Sequence, residues 1–182
     1  MLRLTLSRSV LAGVLAALGA LGLGACGEHV AEGKDCPAVQ RHTASGFCVP
    51  RWLSLKRNDV IGRKGPGGDY PPLWVYHVRG LPVQVVAETS EWRKICDPDG
   101  QSAWVASLMV DGRRTAMVLG AAPLPLHRKA SADAPVAGLL NGRTLASLER
   151  CEAGWCKLKA GGVGGWVSQD QIWGVATAPQ CH

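Results

Sequence analysis

The chain has 182 residues, 47% of them hydrophobic, and carries 20 lysines and arginines against 14 acids, a formal net charge of +6. Its basic residues stand singly or in pairs (Arg93-Lys94, Arg113-Arg114, Arg128-Lys129), which excludes the clustered stripe of a nucleic-acid footprint. With 23 glycines and 11 prolines, no sustained 3.6-residue apolar period survives beyond the first 25 residues, which excludes a helical fold.

Arg3 and Arg8 open the chain, an uncharged apolar stretch extends from Val10 to Leu23, and Gly24-Ala25 stand before Cys26. A cationic start, a short apolar run and small residues at its end form a secretory signal peptide. The run is shorter than the ~20 residues of a spanning helix, so cleavage is expected rather than retention. Leu23-Gly24-Ala25-Cys26 resembles the lipobox of bacterial lipoproteins. That resemblance implies removal of residues 1–25 and acylation of Cys26, which then anchors the protein in a membrane by several acyl chains. Gly27 stands where an aspartate would suggest inner-membrane retention, so the expected location is the periplasmic face of the outer membrane.

Setting Cys26 aside for lipid leaves six cysteines: Cys36, Cys48, Cys96, Cys151, Cys156 and Cys181. An even number in an exported protein suggests up to three disulfides, although the sequence alone permits about 15 connectivities. Cys36 with Cys48 and Cys151 with Cys156 close short loops and are the cheapest pairs, which leaves Cys96 with Cys181 by elimination. No C-x-x-C pair is present and the histidines are scattered, so no metal site and no cofactor are expected. Residues 26–50 read as a lipidated tether whose Cys36–Cys48 loop can dock on the adjoining domain.

The remainder repeats itself. Glu91-Trp92-Arg93-Lys94-Ile95 leads through Asp97-Pro98-Asp99-Gly100 to Ala103-Trp104-Val105, while Gly154-Trp155-Cys156-Lys157-Leu158 leads through a glycine turn to Gly165-Trp166-Val167. Each copy reads as strand, turn, strand. Further upstream, Ile61-Gly62-Arg63-Lys64 is set against Leu126-His127-Arg128-Lys129, and Gly80-Leu81-Pro82-Val83 against Gly142-Arg143-Thr144-Leu145. Alternation at Val83 and Val85, and at Leu145 and Ser147, suggests half-buried strands. Aligning Trp92 with Trp155 sets Glu88 on Cys151 and Arg93 on Cys156, so a cross-strand ion pair in the first copy should correspond to a disulfide in the second.

Arg63-Lys64-Gly65-Pro66-Gly67, Tyr70-Pro71, Trp74-Val75-Tyr76, Arg79-Gly80-Leu81-Pro82-Val83, Glu88, Trp92-Arg93-Lys94, Asp97-Pro98-Asp99-Gly100 and Trp104-Val105 resemble a bacterial Src homology 3 (SH3) domain of the exported type. The resemblance covers residues 51–113 well and 114–178 in outline. It implies an all-β protein of two tandem small SH3-like β-barrels, domain 1 over 51–113 and a divergent domain 2 over 114–178, with residues 179–182 as a C-terminal tail. It also implies a module that binds cell-wall material or partner proteins.

The first copy keeps the loop Gly65-Pro66-Gly67-Gly68-Asp69 and the aromatic residues Tyr70, Trp74 and Tyr76, the candidate ligand-binding set. The second has Ala130-Ser131-Ala132-Asp133-Ala134 instead of the loop. Trp74 and Tyr76 share one face of a strand, and a core role competes with a ligand role there. Trp52 and Trp173 lie at the outer ends of the repeats, where they either close the barrels or meet each other.

No G-x-S-x-G, H-E-x-x-H or phosphate-binding Gly-Lys-Ser/Thr pattern occurs, and lipid and disulfides account for every thiol, so no catalysis is expected. Two functions fit: a membrane-anchored module that holds peptidoglycan or another envelope component through domain 1, and an assembly lipoprotein that holds protein partners with no polymer binding.

Overall fold

The computed structural model describes residues 36–38 and 40–181. The leader and the acylation expected at Cys26 lie outside the described residues. Among those described there is no α-helix, only two single 3₁₀ turns, Ser107–Met109 and Gln169–Gln171.

A two-stranded hairpin, β1 (Arg41–His42) with β2 (Cys48–Val49), precedes two seven-stranded antiparallel sheets. The first contains β3 (Arg51–Leu55), β4 (Val60–Arg63), β5 (Pro72–Tyr76), β6 (Pro82–Glu88), β7 (Trp92–Cys96), β8 (Ser102–Ala106) and β9 (Val110–Asp111). The second contains β10 (Thr115–Val118), β11 (Leu124–His127), β12 (Val136–Leu140), β13 (Leu145–Glu152), β14 (Trp155–Ala160), β15 (Val163–Ser168) and β16 (Ile172–Trp173). The spatial orders are β5-β4-β8-β7-β6-β3-β9 and β12-β11-β15-β14-β13-β10-β16. Strand for strand they are the same, so the chain is two tandem SH3-like barrels. Leu55, Val60, Val83, Val85, Ile95 and Val105 fill the first; Val118, Leu126, Leu148, Leu158, Val167 and Ile172 fill the second.

The repeat seen in the tryptophan hairpins holds, with Lys94 opposite Trp104 and Lys157 opposite Trp166. Glu88 stands opposite Arg93 and Cys151 opposite Cys156. The former pair is an ion pair at 2.8 Å and the latter a disulfide.

The upstream alignment is corrected by one residue. Arg63 pairs with Trp104 and His127 with Trp166, so Arg63 corresponds to His127 and not to Arg128. Val85 stands opposite Ile95 and Leu148 opposite Leu158, so Val85 corresponds to Leu148. A one-residue slip turns each side chain to the other face of the sheet. The core face of β13 is therefore Ala146 and Leu148, not Leu145 and Ser147.

Matching glycine to glycine caused the slip. Gly80 corresponds to Arg143, both at positive φ (83° and 61°), with N–H groups that donate to Leu55 O and Val118 O at the same place in each barrel. Gly142 serves a different need, because a Cβ there would run into the backbone of Gly120 and Ala121.

The corrected register exposes an exchange of volume. Where β4 crosses β5, Gly62 stands opposite Trp74; at the same place in the second barrel Leu126 stands opposite Gly138. The third neighbour changes with them, from Ala103 to Gly165. Adding a Cβ at Gly165 would bring it within 2.8 Å of Leu126 Cβ and 3.0 Å of His127 O. Gly165→Ala is expected to lower stability by about 1–3 kcal/mol through overpacking, measured by urea unfolding; an unchanged midpoint would contradict this contact.

Side chains from both sheets meet between the barrels. The Trp52 and Trp173 rings pack edge to face at 5.0 Å, so they meet rather than close their barrels separately. Trp173 Nε1 donates to Pro82 O at 2.8 Å, and Thr115 Oγ1 donates to Gly80 O at 2.7 Å. The chain then returns to the first barrel. Trp52 Nε1 donates to Ala176 O at 2.7 Å, and the fully buried Gln84 side chain bonds Ala178 O and Gln180 N. Cys181 is bonded to Cys96, so the last residues are tied down. Cys36 is joined to Cys48 in the N-terminal hairpin.

Candidate functional site

The glycine loop of the first barrel is built around Tyr70. Lys64 N–H donates to Pro71 O at 3.1 Å across the neck of the loop, and Arg63 Nη1 donates to Tyr70 O at 2.8 Å. The Tyr70 ring lies on Gly65 and Gly67: a Cβ at Gly65 would collide with the ring, and one at Gly67 would sit 3.2 Å from Cδ2. The glycines thus give the ring a flat seat. Tyr70 remains 46% exposed, an amphipathic ring held in place with surface open to solvent.

Trp74 and Tyr76 are placed differently. Their rings are edge to face at 6.1 Å, Trp74 is half-buried, and Tyr76 is 8% exposed in the core of the barrel. Tyr76 Oη bonds Asp97 Oδ2 at 3.1 Å, and Asp97 Oδ1 accepts from Asp99 N–H and Gln101 N–H in the β7–β8 turn. Burial pushes the Tyr76 phenol up, opposed by a hydrogen bond from Trp74 and reinforced by the Asp97 charge. The assignment of Tyr76 as a ligand residue is therefore corrected: it fills the space that Leu140 fills in the second barrel and ties the core to a turn. Among the described residues no aromatic pair joins Tyr70 to these two rings.

The N-terminal hairpin is held beside this barrel by a buried carboxylate that the sequence suggests only as half of an ion pair. Glu88 accepts from Arg51 Nη2 at 2.6 Å, from Arg93 Nε at 2.8 Å, and from the Thr43 and Ser45 hydroxyls. Its side chain is fully covered. Burial raises its pKa, but hydrogen bonds from Arg51, Ser45 and Thr43 together outweigh that and hold it at about 2. Arg51 also lies over the Phe47 ring at 5.1 Å, and Arg41 Nη2 donates to Val86 O. Serine and threonine three and five residues before Cys48 were the available clue.

Cys36, His42 and Cys48 bring potential metal-ligating atoms within 4.8 Å of one another. Both sulfurs are joined in a disulfide, so neither is a thiolate and the group lacks a metal's donor set.

A groove of about 500 Å³ lies where the end of β15, the 3₁₀ turn at Gln169–Gln171 and the returning chain meet Trp52 and Trp173. It draws on both repeats, and nothing in the spacing of the two tryptophans announced its polar wall.

Comparison with known proteins places these features. A family model described as bacterial SH3 domain matches the chain twice, at residues 56–112 and 120–174, together more than half of its length. Among curated proteins no match was found. Similar solved structures include NlpC2 from Trichomonas vaginalis, at 7% identity and TM-score 0.32 over 68% of this chain and 48% of that one. NlpC1 from the same organism is similar at 6% identity and TM-score 0.31 over 76% of this chain and 50% of that one. The chain spans about half the length of either.

Proposed function

The chain belongs to the bacterial SH3 domain family, with one copy at residues 56–112 and another at 120–174, and from that premise we propose a non-catalytic module that holds a cell-envelope polymer through its first barrel. The polymer is peptidoglycan or another component of the same layer. Acylated Cys26 anchors the module at the periplasmic face of a bacterial membrane, the outer membrane being favoured by Gly27.

The observation that carries this reading is the Tyr70 ring on its glycine seat. A ring already held in place loses little freedom when a ligand stacks on it, so more of the contact energy appears as affinity. The second barrel lacks both the ring and the glycines, which supports the first as the binding copy. Retention of the full-length protein on purified sacculi is the measurement. Tyr70→Ala is expected to weaken retention about tenfold, while leaving the melting temperature near that of the wild type. Retention unaltered by the substitution would remove the first barrel from the role.

Assembly on protein partners is the second reading, favoured by one observation. Ile61 and Val75 are paired and exposed on the outer face of β4–β5 with Leu73 beside them, and Leu139 is exposed at the matching place on β12. Apolar side chains repeated on the same face of two barrels suit a protein contact. Absence of sacculus binding, together with a defined protein that co-purifies and is lost with Val75→Lys, would replace the first reading by this one.

A further inference from the structure

We propose that the groove between the two barrels is a second ligand site, and that it takes a neutral glycan. The proposal does not rest on Tyr70 or on the first barrel's loop; it concerns surface that neither repeat possesses alone.

Three segments build the groove, and each is held by bonds that do not involve a ligand. Trp52 donates its indole N–H to Ala176 O, Trp173 donates its own to Pro82 O, and Gln84 with the Cys96–Cys181 bond keeps the returning chain in place. The site is therefore formed in advance. Because both indole N–H groups are spent on backbone carbonyls, the tryptophans present only carbon surface to the groove. Trp52 is part-exposed and Trp173 is buried behind it at 5.0 Å, so the wall is a supported ring rather than a loose one.

A short polar turn, Ser168-Gln169-Asp170, lines the same groove. Among the described residues these three side chains have no protein hydrogen-bond partner and no salt bridge. They offer a hydroxyl, an amide with both donor and acceptor, and a carboxylate acceptor. No lysine, arginine or histidine among the described residues lines the groove.

Apolar wall, mixed neutral donors and acceptors, one carboxylate and no cation together describe a particular partner. A pyranose ring has a face of C–H groups that packs on an aromatic ring and an edge of hydroxyl or acetamido groups that bonds the polar turn. An anionic ligand would meet Asp170 with no compensating charge. A peptide would want main-chain partners, and the adjoining edge strand β16 is only two residues long.

The test uses the full-length protein and a defined probe, chitotetraose, a neutral oligomer of N-acetylglucosamine, with tryptophan fluorescence and calorimetry as readouts. Saturable binding is expected, weakened about tenfold by Asp170→Ala and by Gln169→Ala and unchanged by Tyr70→Ala. The two turn substitutions are exposed or half-exposed and should leave the fold intact, which a thermal melt checks; Trp52→Ala would confound folding with binding. No saturable signal up to millimolar chitotetraose, or binding indifferent to both turn substitutions, overturns the proposal. So does preference for a basic peptide over the glycan, which would make the groove a peptide site. A loss with Tyr70→Ala instead would return the glycan to the first barrel and leave the groove without a ligand.

Discussion

Replacing Glu88 by alanine is expected to cost about 3–5 kcal/mol of unfolding free energy. The carboxylate is fully covered, and it neutralises two guanidiniums, Arg51 and Arg93, which are themselves only 18% and 12% exposed. Removing it leaves both charges without a counter-charge. The Thr43 and Ser45 hydroxyls lose their acceptor as well, so the hairpin at Arg41–Val49 loses one of its polar ties to the first barrel. Urea unfolding should show the drop, and limited proteolysis should open the 40–49 segment first. Glu88→Gln keeps the shape and one acceptor but not the charge, and should fall between wild type and alanine. Equal stability of all three proteins would mean that the network contributes nothing net.

The same group sets an acid limit. The Glu88 pKa falls from an ordinary 4.5 to about 2 on folding, so the folded state favours the ionised form. Its contribution is fully present above pH 4.5, declines as pH falls through the interval, and is gone below about 2. A displacement of this size corresponds to about 3 kcal/mol. Stability of the wild type should therefore decline between pH 4.5 and 2 more steeply than that of Glu88→Gln, which cannot titrate there. Parallel pH profiles would contradict the assignment.

Loss of the Cys96–Cys181 bond in a Cys96→Ala, Cys181→Ala protein is the second large effect. This bond joins residues 85 apart in sequence, whereas Cys151–Cys156 spans 5. In the chain-entropy view, closing so long a loop removes about 4–5 kcal/mol of freedom from the unfolded chain, against roughly 2 kcal/mol for the short one. Alanine avoids placing a hydroxyl at Cys96, which is fully buried. The consequence is also local. Without the bond, the returning segment depends on weaker ties such as those from Gln84 and the Trp52 indole, and the wall of the inter-barrel groove is held less firmly. Thermal melts of the double-alanine proteins rank the two bonds. If removing the short bond proved the costlier, loop closure would not be what stabilises this molecule.

Much of the architecture is written locally. Trp92 to Val105 and Trp155 to Val167 each combine alternating apolar residues with a turn of Pro, Asp or Gly, and such a hairpin is specified by its own residues. The register of Glu88 with Arg93 and of Cys151 with Cys156 is legible in the sequence for that reason. Upstream it is not, because Gly80 and Gly142 look equivalent and differ in what they do. One needs positive φ; the other needs room for a neighbouring backbone. Spacing cannot separate those two uses of glycine.

The candidate site was legible only in part. Tyr70 and its glycines are close in sequence, so their association is a local fact that composition can suggest. Tyr76 looked the same from sequence, because strand alternation says that two faces exist and not which of them is covered. Its burial results from what crosses it, Gly62 being small where Leu126 is large.

The residues by themselves determined an all-β chain of two similar units and the hairpins that close each unit, since these depend on neighbours within a few positions. Tertiary structure alone decided that Trp52 meets Trp173, that Glu88 gathers four partners from three segments, and that the last residues return to wall a groove. Those contacts join positions up to 124 apart, and no local pattern carries them: they form because each donor buried between the barrels must find an acceptor there.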